Sequence, residues 1–222
     1  MALRLGTVVP DFKAESTQGI IAFHEFIEGH WAILFSHPND FTPVCTTELG
    51  SVASYMPEFI NRGVKVLALS CNDLVSHLQW IPDIEGANKQ GAVVSFPILC
   101  DPDRAIATQL GMLDPDEVDP SGVPLAARAV LVVGPDKKLK ASILYPASTG
   151  RNFAEIIRVI DSLQLTAHHS VATPVDWKHG DPCMVLPTFS DDEAKRKFPK
   201  GFETIPVPSG KGYLRITPQP DL

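Results

Sequence analysis

No stretch of this chain stays apolar for more than about five residues, Trp31 to Phe35 and Ala129 to Val133 being the longest, whereas a helix crossing a bilayer needs roughly twenty. A membrane span is therefore not expected. Positive charge is also short: 19 basic against 26 acidic residues leave a formal charge of −7, which repels phosphate backbones and argues against nucleic acid as a partner. Cysteine is sparse, with Cys45, Cys71, Cys100 and Cys183 far apart and none in a Cys-x-x-Cys pair. That spacing excludes a zinc knuckle or dithiol redox motif, so any thiol chemistry centres on one sulfur. His168, His169 and His179 have no cysteine or carboxylate at ligand spacing, and neither a metal nor another cofactor is expected. The segment from Met1 to Gly6 lacks the apolar centre of a secretory signal, from which a cytoplasmic location is expected.

What is present is enough for a substantial core: 222 residues, 44% of them hydrophobic, fit one large domain or one domain with an appendage. Residues 171–222 hold 8 of the 20 prolines. Because proline cannot donate to a ladder, this tail is expected to form loops with short edge strands. Within it, Asp191-Asp192-Glu193-Ala194-Lys195-Arg196-Lys197 runs from acidic to basic, the charge order that suits a helix macrodipole.

Upstream, strand and helix patterns alternate, which implies an α/β architecture. Trp31–Phe35, Val64–Leu69, Ala129–Val133 and Lys140–Tyr145 read as strands, the last two joined as an antiparallel hairpin by Gly134-Pro135-Asp136-Lys137-Lys138. Leu49, Val52, Ala53, Met56, Phe59 and Ile60 form a helical stripe, and Phe153, Ile156, Ile157, Ile160 and Leu163 form another. A helix from Val75 is expected to stop near Pro82, and Pro57 to kink the first helix.

Chemistry concentrates where the first strand turns into the first helix, Ser36-His37-Pro38-Asn39-Asp40-Phe41-Thr42-Pro43-Val44-Cys45-Thr46-Thr47-Glu48-Leu49. Thr42 suits an N-cap and Pro43 the first helical position. Cys45 then falls at the third, where the positive end of the helix favours an anionic sulfur. The dipole contributes only about 0.3–1 kcal/mol, so a strongly nucleophilic thiol needs a cation beside it as well. Periodicity does not say which one, nor whether His37 folds back to the sulfur.

Pro38-x-x-x-Thr42-x-x-Cys45 and the string around it resemble the active-site motif of the peroxiredoxin family, in its one-cysteine, peroxiredoxin-6-like class. The resemblance continues through Ala127-Arg128-Ala129, Tyr145-Pro146-Ala147-Ser148-Thr149-Gly150-Arg151-Asn152-Phe153 and Ala172-Thr173-Pro174-Val175-Asp176-Trp177. It implies a thioredoxin-like fold, a central mixed sheet flanked by helices, over residues 1–165, and a small C-terminal domain with short strands over 166–222. It also implies a homodimer that reduces hydroperoxides. In that class Cys45 is the peroxidatic nucleophile, Arg128 the cation beside it, and Thr42, His37 and Pro38 shape the peroxide pocket. Glu48 orients an arginine, and Arg151 matches a second arginine of the site. No Val-Cys-Pro string supplies a resolving cysteine, so the reductant is external: glutathione, another thiol protein or ascorbate.

One departure bears on activity. Members of the class with phospholipase activity carry a Gly-x-Ser-x-Gly-like string where this chain reads Glu28-Gly29-His30-Trp31-Ala32, with His30 at the serine position. His24 and Asp136 match the proposed partners, but a triad without its nucleophile cannot acylate, so peroxidase without lipase activity is expected. A redox sensor cycling on Cys45 and a Cys45/His37 hydrolase are the competing readings.

Overall fold

The computed structural model describes residues 3–221; Met1 and Ala2, which open the segment read for a signal, lie outside that range. The chain forms two compact units, one up to Phe153 and one from Ala154. In chain order the first contains β1 (Lys13–Ala14), β2 (Ile21–Ala22), α1 (Phe23–Phe26), β3 (Trp31–Ser36), α2 (Pro43–Asn61), β4 (Val64–Ser70) and α3 (Leu74–Ala87). It continues with β5 (Ile98–Cys100), α4 (Ala105–Leu110), β6 (Leu113–Val118), β7 (Pro124–Ala126), β8 (Arg128–Val133) and β9 (Leu139–Tyr145).

The apolar runs become the interior of a five-stranded sheet ordered β5-β4-β3-β8-β9. β3 pairs in parallel with β4 and antiparallel with β8, so the sheet is mixed. Every residue of β3 and β8 is buried, as continuous hydrophobic strands covered on both faces require. The expected hairpin is present: Gly134 N–H donates to the Lys138 carbonyl, and β8 and β9 pair antiparallel around it. β9, at the sheet edge, ends in an alternating burial pattern and leaves Leu144 exposed.

One expectation about proline needs correction. α3 does not stop near Pro82 but continues to Ala87. His77, Trp80 and Ile84, at i, i+3 and i+7, are buried on either side of the proline, and that packing outweighs one missing donor. Pro57 lies inside α2. Of the stripe expected on α2, Leu49, Val52, Ala53 and Phe59 are buried, Met56 is half-buried and Ile60 is exposed. β5, three residues long, and the acidic β6, which contains Pro115, carry too weak a pattern to be read from periodicity.

The second unit contains most of α5 (Phe153–His168), then β10 (Val171–Ala172), β11 (Cys183–Val185), α6 (Asp191–Lys197), β12 (Glu203–Thr204) and β13 (Arg215–Thr217). Its strands form a sheet ordered β10-β11-β13-β12, the short-stranded, proline-interrupted structure expected of the tail. α6 starts with a capping box in which Ser190 and Glu193 bond each other's backbone N–H. Leu165, Val171, Trp177, Cys183, Val185, Ala194 and Phe198 form its core. Cys183 is fully buried there.

Candidate active site

Thr42 is the N-cap of α2, with extended φ/ψ of −112° and 147°, and Pro43 is the first helical residue. The capping differs from expectation in one respect. The Thr42 hydroxyl donates to the Asn39 carbonyl at 3.0 Å and does not cap the helix N–H groups. Its oxygen lone pairs are thereby left available as acceptors.

Cys45 and Glu48, three residues apart, share the buried face of α2. Register brings the arginine to them. Phe35 near the end of β3 pairs with Val130 of β8, so Arg128, two residues earlier on β8, lies past the C-terminal end of β3, where the chain turns into α2. Its Nη1 lies 3.2 Å from Cys45 Sγ and 2.7 Å from Glu48 Oε2, while Nε and Nη2 both donate to the Ala147 carbonyl.

Arg151 closes the cluster. Its Nη2 donates to Glu48 Oε2 at 2.9 Å, and its Nε and backbone N–H donate to Glu48 Oε1. Its Nη1 donates to the carbonyls of Ser36 and Ala129, and the guanidinium stacks over Phe35. All four side chains are buried. Burial alone would raise the Glu48 carboxyl, but the charge and hydrogen bonds of Arg151 and the charge of Arg128 hold it below the usual range. Two guanidiniums and one carboxylate leave one positive charge over, in a place where uncompensated charge is costly. An anionic Cys45 sulfur 3.2 Å from Arg128 neutralises it; a thiol does not.

His37 and Pro38 are buried in the loop between β3 and α2. His37 does not bond the sulfur: its Nε2 is 2.9 Å from Asp40 Oδ1, and its Nδ1 has no partner. Burial pushes the imidazolium form of His37 down in pH against the opposing pull of Asp40. Asp40, absent from the sequence-based set, is the hub of this loop, and His77 on α3 bonds its other oxygen at 2.7 Å. An aspartate two residues after a proline reads from sequence as an ordinary turn former, and a single histidine on a helix face as a core residue.

These groups set the acid response of the fold. His37 resists protonation when folded, and Asp40 and Glu48 are held below the carboxylate range. Below about pH 6.5, and more steeply below about pH 4, the unfolded chain thus binds protons that the native state does not. Stability is expected to fall in that order on acidification, read as the urea midpoint between pH 7 and pH 3. A midpoint unchanged over that range contradicts it.

The other thiols differ from Cys45 in their surroundings. Burial, with the charges of Glu15, Asp40 and Asp73, pushes Cys100 up to about 12, and burial likewise raises Cys71 and Cys183.

Residues 5–142 match the AhpC/TSA family model, and residues 162–201 match the model for the C-terminal domain of 1-Cys peroxiredoxin. The chain belongs to the peroxiredoxin family. It is 60% identical to peroxiredoxin-6 of Gallus gallus over 221 residues, 99% of each chain, and 59% identical to that of Homo sapiens over 220 residues, 98% of each. Its fold overlays a cysteine-to-serine mutant of the peroxiredoxin 6 of Arenicola marina with a TM-score of 0.96, at 54% identity and full coverage of both chains. A yeast mitochondrial 1-Cys peroxiredoxin, 40% identical, covers 97% of this chain and 99% of its own, with a TM-score of 0.86. The first unit thus has the thioredoxin-like peroxiredoxin fold, and this peroxiredoxin is a thiol peroxidase, an oxidoreductase.

Proposed function

We propose that Cys45 is the peroxidatic nucleophile, with Arg128 as the cation that activates it and Glu48 and Arg151 as the frame that aims Arg128. The observation that carries this is the 3.2 Å approach of Arg128 Nη1 to Cys45 Sγ inside a buried cluster with one positive charge to spare. The thiolate attacks the terminal oxygen of a hydroperoxide. The S–O bond forms as the O–O bond breaks, water or an alcohol leaves, and the sulfur becomes a sulfenic acid. An external thiolate then displaces water from that sulfur, and a second thiol cleaves the mixed disulfide. Thr42, Pro38 and His37 line the approach of the peroxide, the Thr42 oxygen as an acceptor for its O–H.

We read the reductant as a small thiol such as glutathione or a thioredoxin-type protein, with ascorbate as the remaining option. The structure of the yeast relative concerns thiol resolution via the glutathione/thioredoxin systems, and in this chain Cys100 and Cys183 are buried. Lipase activity is not proposed: His30 stands at the serine position, His24 Nε2 is engaged by the Val9 carbonyl, and Asp136 is paired with Lys140. We retain the cytoplasm as the location and a homodimer as the assembly. The open edge of β9 with its exposed Leu144 supports the dimer, and Leu144→Arg is expected to shift the mass in multi-angle light scattering from dimer to monomer. No helix among the described residues is long and apolar enough to cross a membrane.

Mass spectrometry after one equivalent of hydrogen peroxide tests the assignment. One added oxygen is expected on Cys45, proceeding to the sulfinic acid with excess oxidant, and none on the remaining cysteines of Cys45→Ser. An unmodified Cys45 beside an oxidised Cys71 or Cys100 overturns it.

A further inference from the structure

Buried side-chain polar atoms almost always find a partner. Among the described residues only two lack one, His37 Nδ1 and Arg215 Nε, and the first lies in the loop that leads to Cys45. Its surroundings give the reason.

Asp40 is buried, and its carboxylate collects donors from three elements. His37 Nε2 reaches Oδ1 at 2.9 Å from its own loop; His77 Nδ1 and Ser76 Oγ reach Oδ2 at 2.7 and 2.8 Å from α3; Ser70 Oγ stands 3.4 Å from Oδ1 at the end of β4. The Asn72 side chain accepts from the Asp40 backbone N–H and donates to Asn39. Burial works against ionisation, but the hydrogen bonds of His37 and His77 outweigh it and keep the carboxyl well below its usual range. An ionised carboxylate only accepts. The ring nitrogen facing it must therefore carry the hydrogen, so neutral His37 is the Nε2–H tautomer and its Nδ1 is a bare lone pair.

That ring is close to the reaction machinery. His37 follows Ser36, whose carbonyl holds Arg151, and the Arg151 charge acts on the imidazole. Its ring centroid is 5.2 Å from that of Trp80, whose indole N–H donates to Thr46, the neighbour of Cys45. The Asp40 anchor also holds the next residue, Phe41, at φ 54°, a left-handed conformation costing roughly 1–2 kcal/mol for a residue with a side chain, immediately before the N-cap Thr42.

We propose that Asp40 is a positioning residue of the peroxide site, whose carboxylate locks His37 as the Nε2–H tautomer so that Nδ1 stands ready to accept the O–H of the incoming hydroperoxide. This rests on Cys45 being the nucleophile. The titratable groups facing the pair are His77 from α3, Arg151 from the segment after β9, and Cys100 on β5, which feels the Asp40 charge.

The tautomer is directly measurable. Long-range 1H–15N spectra of the reduced protein labelled at histidine, with His37 assigned through its loss in His37→Gln, are expected to show the Nε2–H form at pH 7. In Asp40→Asn, the amide oxygen retained by Ser76 and His77 turns the NH2 group toward His37. The ring is then expected to become Nδ1–H, and Cys45 oxidation by hydrogen peroxide to slow by about tenfold, the scale of one hydrogen bond. A wild-type His37 that is Nδ1–H or imidazolium overturns the proposal, and this reading needs no variant to fold. So does an Asp40→Asn protein that keeps the Nε2–H form, or one that switches tautomer and oxidises at the wild-type rate. Because the spectra are taken without peroxide, failure here is separate from failure of Cys45 as nucleophile.

Discussion

Arg128→Ala is expected to slow the reaction of Cys45 with hydrogen peroxide by about two to three orders of magnitude, the loss typical of removing one preorganised donor from a developing charge. Two losses combine in it. The N–H 3.2 Å from the sulfur disappears, and with it the positive charge left over by the pairing of Glu48 with Arg151. What remains is one guanidinium and one carboxylate, balanced without the sulfur, so nothing buried gains from an anionic Cys45. Arg128→Lys separates the two contributions. An ammonium restores charge, but it lacks the planar fork with which Arg128 reaches Cys45, Glu48 and the Ala147 carbonyl together. Partial recovery is therefore expected. Stopped-flow tryptophan fluorescence under single-turnover conditions reads the rate, and an Arg128→Ala rate within twofold of wild type removes Arg128 from the mechanism.

Glu48→Ala is expected to have the largest effect on stability, about 3–5 kcal/mol, because truncating one member of a buried ion cluster leaves the others uncompensated. Glu48 is 4% exposed and receives one N–H from Arg128 and three from Arg151, one of them the backbone's. Without it, two guanidiniums carrying like charge face each other in the interior. For a chain of this size the loss corresponds to a fall in melting temperature of roughly 6–20 °C. Glu48→Gln keeps the shape and much of the hydrogen bonding while losing the charge, so its effect isolates the electrostatic part. Calorimetry of the two variants checks this, and a Glu48→Ala protein melting within 2 °C of wild type contradicts it.

The sequence carried the fold class further than the site. Continuous apolar runs suit strands covered on both faces, and β3, β4 and β8 appear where those runs stand, with β9 following the turn cluster after β8. The cap and proline at Thr42-Pro43 place Cys45 on the first turn of α2, because helix starts are local chemistry. α3 shows where local reading fails: Pro82 signals a stop, and tertiary burial of Trp80 and Ile84 overrides it.

What the linear chain determined by itself is therefore local: a cysteine at the positive end of a helix, flanked by a turn, between buried elements. Its family motif then named Arg128, which no periodicity could have joined to a cysteine 83 residues away. The tertiary structure decided how charge is shared. The pairing of β3 with β8 sets Arg128 against Cys45, the return of the chain after β9 adds Arg151, and the approach of α3 to the loop supplies His77 for Asp40. Those are long-range pairings, and the electrostatics depend on their ångström distances, which residue order does not encode.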